Sequence, residues 1–135
     1  MTLTTLPVTM YYPPHASYSN ATVGVTQTTL TTAGHYVAVI MQAPVTDTLT
    51  KIGFMTGTVN ANTLDVRVET VDPATGFPSG TLWGTDTNFV QTVLATDDSK
   101  WFEVTLTAGA SLTKGDLFAI VLKIGSSTSL QIAGL

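Results

Sequence analysis

The chain has 135 residues, no cysteine and a formal net charge of −4, with a pI of about 4.7. That length makes one domain, able to bury roughly two-thirds of its unfolded surface without a staple, and zero cysteine excludes disulfide frameworks, thiolate zinc sites and cysteine nucleophiles. Charged residues make up 10% of the chain, against roughly 25% in an ordinary soluble domain, and the five cations (Lys51, Arg67, Lys100, Lys114 and Lys123) are too few for a nucleic-acid patch.

Threonine supplies the missing polarity, at about a fifth of the chain, and its β-branch favours strands over helices. The opening MTLTTLPVTMYY has neither a basic n-region nor a continuous apolar h-region, so it is not read as a signal peptide. No window reaches the apolar length of a membrane helix. A Thr-rich, charge-poor surface without an export signal suits a virion protein released by lysis, or a piece of a larger secreted protein.

Residues 1–20 read as an arm or edge strand, and 21–135 as the folded domain. Leu6, Val8, Met10 and Tyr12 alternate with Pro7, Thr9 and Tyr11, and Pro7 confines such a strand to a sheet edge or a strand start. Tyr11-Tyr12-Pro13-Pro14 then favours extended polyproline geometry. Two readings stand: an edge strand with a loop, or an arm that docks on a neighbouring subunit. Asn20-Ala21-Thr22 matches a glycosylation sequon, a pattern that chance often supplies.

Ala21, Val23 and Val25 open a strand that runs on towards Leu30. His35–Gln42, HYVAVIMQ, is apolar on both faces and reads as a central strand buried on both sides. Leu49–Thr56 is the next strand. Thr63–Val71 alternates strictly, with Leu64, Val66 and Val68 one way and Asp65, Arg67 and Glu69 the other. Turn chemistry follows at Asp72-Pro73, Gly76 and Pro78-Ser79-Gly80, before a short strand through Leu82 and Trp83. Asn88–Leu94, Lys100–Thr107, Leu117–Ile124 and Ser129–Ala133 complete the set. No segment sustains a helical period, and Gly, Pro or Asp interrupts every ten residues or so.

The fold class is therefore all-β: an antiparallel β-sandwich, jelly-roll-like, of roughly eight or nine strands with an extended N-terminal arm. The expected core comprises Tyr36, Ala38 and Ile40; Ile52 and Phe54; Leu64, Val66 and Val68; Phe102, Val104 and Leu106; Phe118, Ile120 and Leu122. The succession KIGFMTG, LDVRVETVDPATGFPSGTLWGT and KWFEVTLTAGASLTKGDLFAIVLK resembles jelly-roll modules of phage virion proteins and of some carbohydrate-binding proteins. The likeness spans residues 50–124 and lies in layout and turn chemistry. It implies a virion structural protein: a capsid decoration, head-fibre or tail-associated protein. Its partners would be copies of itself, often trimers, with capsid or tail proteins; its location would be the virion. The alternative it implies is a secreted carbohydrate-binding module. Such architectures host many roles.

Catalytic motifs are missing: no Gly-x-Ser-x-Gly, His-Glu-x-x-His or Walker loop occurs. The histidines are His15 in the arm and His35 at a strand start. Asp65 and Glu69 lie on one strand face as a paired-carboxylate candidate of the kind glycosidases use, but a solvated charged face is the stronger reading. Asp72, Asp97 and Asp98 offer oxygen ligands without a calcium-loop spacing. The expectation is no enzyme, no cofactor, no metal, no nucleic acid and no membrane. Candidate contact residues are Leu6, Val8, Met10, Tyr11, Tyr12, Pro13 and Pro14 for assembly. Trp83, Trp101 and Phe77 are candidates for ligand or subunit contact, Trp101 being alternatively core if the register inverts.

Overall fold

A computed structural model describes residues 27–133. The arm candidates Leu6 to Pro14 and the Asn20 sequon lie outside the described residues.

Nine antiparallel strands and no helix make up the described chain: β1 (Gln27–Leu30), β2 (Tyr36–Gln42), β3 (Asp47–Val59), β4 (Asn62–Val71), β5 (Pro78–Leu82), β6 (Asn88–Val93), β7 (Trp101–Leu112), β8 (Leu117–Ile124) and β9 (Leu130–Ala133). They form two sheets. One is ordered β1-β9-β3-β7; the other is ordered β2-β8-β4-β5, with β6 also on β4. The pairing is nested: first with ninth, second with eighth, third with seventh, fourth with fifth and sixth. A long antiparallel ribbon wound onto itself in this way is a jelly roll.

Period-two alternation accounts for the core. Leu64, Val66 and Val68 of β4 face Ile52 and Phe54 of β3 and Phe102, Val104 and Leu106 of β7 in one buried cluster. Phe54 and Phe102, cross-strand partners, stack with centroids 5.3 Å apart, worth about 1 kcal/mol beyond the area they bury. β8 lies between β2 and β4, and Phe118 through Leu122 are buried on both its faces.

β2 departs from expectation. It is an edge strand, paired among the described residues with β8 alone. Val37, Val39 and Met41 pack against the core, whereas Tyr36 and Ile40 are exposed and Ala38 is half-buried. A run that is apolar on both faces does not encode which face turns inward, and the inward set is the reverse of the Tyr36, Ala38 and Ile40 expected. β7 also runs beyond Thr107, through Gly109 to Leu112, with a register break opposite Leu49–Lys51.

Candidate functional site

The four-stranded sheet carries Trp101 on its outer face, 57% exposed, as the alternation of Trp101, Glu103 and Thr105 predicts. Trp101 pairs with Met55, and its indole lies across Gly53. A methyl group at Gly53 would clash with Cζ2 of the ring and meet Cη2 and Cε2 at 3.0 and 3.3 Å, so the indole takes this place only because residue 53 lacks a side chain. Beside it, Lys51 Nζ donates to Glu103 Oε1 at 2.7 Å, both partly exposed. An exposed aromatic surface thus stands next to a donor and an acceptor.

Phe77 is 68% exposed at the tip of the β4–β5 connection. Asp72 organises that tip. Its Oδ1 accepts from Ala74 N, its Oδ2 accepts from Thr75 Oγ1, and its amide donates to Phe77 O. Asp72 is therefore used in turn formation. Trp83 is partly buried against the core, and its Nε1–H donates to Ser111 O at 2.8 Å. The structure keeps these aromatics apart: Trp83 clamps the sandwich, and Phe77 and Trp101 lie on different elements.

The Asp65–Arg67–Glu69 row is not the solvated face that the alternation suggests. Glu69 is 3% exposed. Its Oε2 accepts from Gly80 N at 2.9 Å, and Arg67 Nε lies 3.0 Å from Oε1, off the line of a hydrogen bond. Arg67 also donates to Gly80 O and lies 3.6 Å from Asp65 Oδ2, and Asp65 Oδ1 accepts from Asn88 Nδ2. The two carboxylates are thus bound to opposite sides of one guanidinium, and β5 folds over the pair. This arrangement holds β5 and β6 onto β4.

Asp97 and Asp98 are likewise engaged. Asp97 Oδ2 accepts from Leu94 N and Oδ1 from Lys100 Nζ, at 2.8 and 2.9 Å, while Asp98 Oδ1 accepts from Val59 N. The Leu94 amide first, and Lys100 second, hold the Asp97 carboxyl below the ordinary carboxylate range. Among the described residues no cluster of three or more His, Asp or Glu is placed to hold a metal. His35 is exposed, and its carbonyl accepts from Ile124 N.

Sequence reasoning missed two features. Asn62, buried at the β3–β4 turn, donates through Nδ2 to Ser126 O and Thr128 O and accepts through Oδ1 from the Thr63 and Ser126 amides. It ties that turn to the β8–β9 turn. The second is the outer face of the five-stranded sheet. Cross-strand register sets Tyr36, Lys123 and Asp65 in one row, Ala38, Val121 and Arg67 in the next, and Ile40, Ala119 and Glu69 in a third. Tyr36 and Ile40 of β2, Leu117 of β8 and Val90 of β6 are exposed on this face. The exposed apolar side chains lie towards its margins, and at its centre Arg67 is paired with Asp65 and Glu69.

No protein family, curated protein or solved structure matches this chain. The likeness to phage and carbohydrate-binding jelly rolls rests on the layout of the sequence.

Proposed function

We propose that the protein is a non-enzymatic structural module acting by protein–protein assembly, in its finer form a capsid decoration, head-fibre or tail-associated protein of a phage-like virion. The observation that carries this reading is the outer face of the five-stranded sheet. Tyr36, Ile40, Val90 and Leu117 are 40–55% exposed there, and between them Arg67 is paired with Asp65 and Glu69. Apolar surface of this kind marks interfaces, and a chain with 10% charged residues has little repulsion to keep copies apart. Partners are further copies of the chain, a trimer being the state the resemblance implies, and capsid or tail proteins. The role calls for no cofactor or catalytic group. Light scattering across a concentration series is expected to show a homo-oligomer that Tyr36→Asp with Ile40→Asp dissociates. A monodisperse monomer at every concentration, with no binding to virion particles, overturns the reading.

A second reading, a carbohydrate-binding module, is favoured by one specific observation, the exposed Trp101 ring lying across Gly53 beside Lys51 and Glu103. A flat exposed ring suits the apolar face of a pyranose, with the ion pair offering hydrogen bonds to its hydroxyls. Glycan-array binding that is lost in Trp101→Ala would support it, and an array without signal would remove it.

A further inference from the structure

β2 has the composition of an interior strand and the position of an edge strand. Its seven residues, YVAVIMQ, carry no charge and no proline, and its ladder with β8 runs without a register break. Edge strands are ordinarily blunted by charge, proline, bulges or shortness, because an open row of amides and carbonyls recruits another strand. β2 has none of these devices.

The hydrogen-bond pattern shows which groups face outward. Ala43 N donates to Asp116 O at one end of the β2–β8 pair, and Ile124 N donates to His35 O at the other. In an antiparallel ladder inward bonding alternates, so the odd-numbered residues of β2 bond β8. Tyr36, Ala38, Ile40 and Gln42 then turn their N–H and C=O groups outward, and Tyr36 and Ile40 also expose their side chains.

We propose that residues Leu6–Tyr12 of this chain's N-terminal segment complete the five-stranded sheet as an antiparallel strand on β2. In the matching register Leu6 lies opposite Gln42, Val8 opposite Ile40, Met10 opposite Ala38 and Tyr12 opposite Tyr36. The inference rests on the assembly reading for where the segment comes from, a neighbouring copy, but not for what it binds.

Four observations support this occupant. The segment and β2 have the same length, and every described ladder is antiparallel. Pro7 has no N–H, so only the registers in which Leu6, Val8, Met10 and Tyr12 bond β2 leave the proline nitrogen facing away from the ladder, and the one that pairs all seven residues is the one proposed. In that register the same four side chains join Tyr36, Ala38 and Ile40 on one sheet face, apolar against apolar. Finally, the segment joins the fold on the correct side. β1 is the edge of the four-stranded sheet, and the chain passes from it through Gly34, whose amide donates to Ile124 O, directly into β2. Residues 13–26 span up to ~45 Å when extended, enough to reach β2 of the same or of an adjacent copy.

The test is amide hydrogen exchange at Ala38 and Ile40 in the full chain, compared with Val8→Pro and Thr9→Pro. Val8 must donate its N–H to β2 and Thr9 must not. Slow exchange in the parent that accelerates at least about tenfold in Val8→Pro, and survives in Thr9→Pro, is the expected result. Rapid exchange in the parent overturns the proposal, as does equal acceleration by the two variants. The oligomeric state of the same samples separates the two readings. Protection in a monomer keeps this inference and refutes assembly through the arm; an oligomer with rapid exchange at Ala38 and Ile40 refutes this inference and leaves assembly standing through another surface.

Discussion

The two lateral sides of the sandwich are built differently. On the side where β5 and β6 meet β7, the chain's own turns cover part of the free edges. Asp86 O accepts from Ala108 N at 2.7 Å, and Ser111 O accepts from Trp83 Nε1, so the β5–β6 turn covers the edge of β7. On β6 the Gln91 side chain takes the Thr92 carbonyl, and Asp97 takes the Leu94 amide. β5 is short, begins at Pro78 and breaks register on β4. On the opposite side lie β1 and β2, and β2 is long, uncharged and, among the described residues, paired on one side only. One side is closed by the chain's own turns, and the other is fit for completion by a further strand.

Breaking the closed side should cost most. Arg67→Ala leaves Glu69, whose side chain is 4% exposed, as a buried charge that keeps the Gly80 amide donating to it. Losing one member of a buried pair costs about 3–5 kcal/mol, read as a lowered denaturation midpoint with unchanged m-value. Trp83→Ala removes packing and leaves Ser111 O without its donor. A loss of about 2–3 kcal/mol is expected, together with faster exchange at Ala108 as the β5–β6 turn lifts off β7.

A pH titration sharpens the same contrast, because Asp97 closes the β6–β7 connection. Its folded-state pKa is lowered by the Leu94 amide and Lys100, so its stabilisation is complete above the ordinary carboxylate pKa. It is lost as pH falls through the lowered folded value. Asp97→Asn should therefore be less stable than the parent at neutral pH, with the gap narrowing in acid. The smallest effect belongs to the open side. Ile40→Ser should change the stability of isolated copies by no more than about 0.5 kcal/mol, while weakening self-association at high concentration.

The sandwich was legible wherever polar residues marked the wet face. β4 and β7 alternate charge or threonine with Val, Leu and Phe, and the exposure of Trp101 follows from that pattern alone. β2 and β8 were indistinguishable in sequence, since HYVAVIMQ and LFAIVLKI are both apolar on both faces. What separates them is position in the sheet, decided by pairings far apart in the chain. The same limit hid Gly53 beneath Trp101, the Trp83 bond to Ser111, and the bonds of Asn62 to Ser126 and Thr128, more than sixty positions away. Glu69 was misjudged because β5, folding back, supplies Gly80 above it. Alternation reports on a strand's own two faces and does not register a second strand's backbone arriving over one of them.

Disulfide trapping tests the central claim, that Leu6–Tyr12 completes β2, most directly. The chain has no native cysteine, so Val8→Cys with Ile40→Cys adds the two thiols that can form a bridge. In the proposed register these residues have Cα atoms about 5.5 Å apart, within the span of a disulfide. Val8→Cys with Met41→Cys is the control, since Met41 packs against the core. The account predicts near-complete oxidation of the first pair and little of the second, with monomer or multimer bands reporting whose arm is bound. Failure of the first pair to bridge, or equal bridging of both, would contradict it.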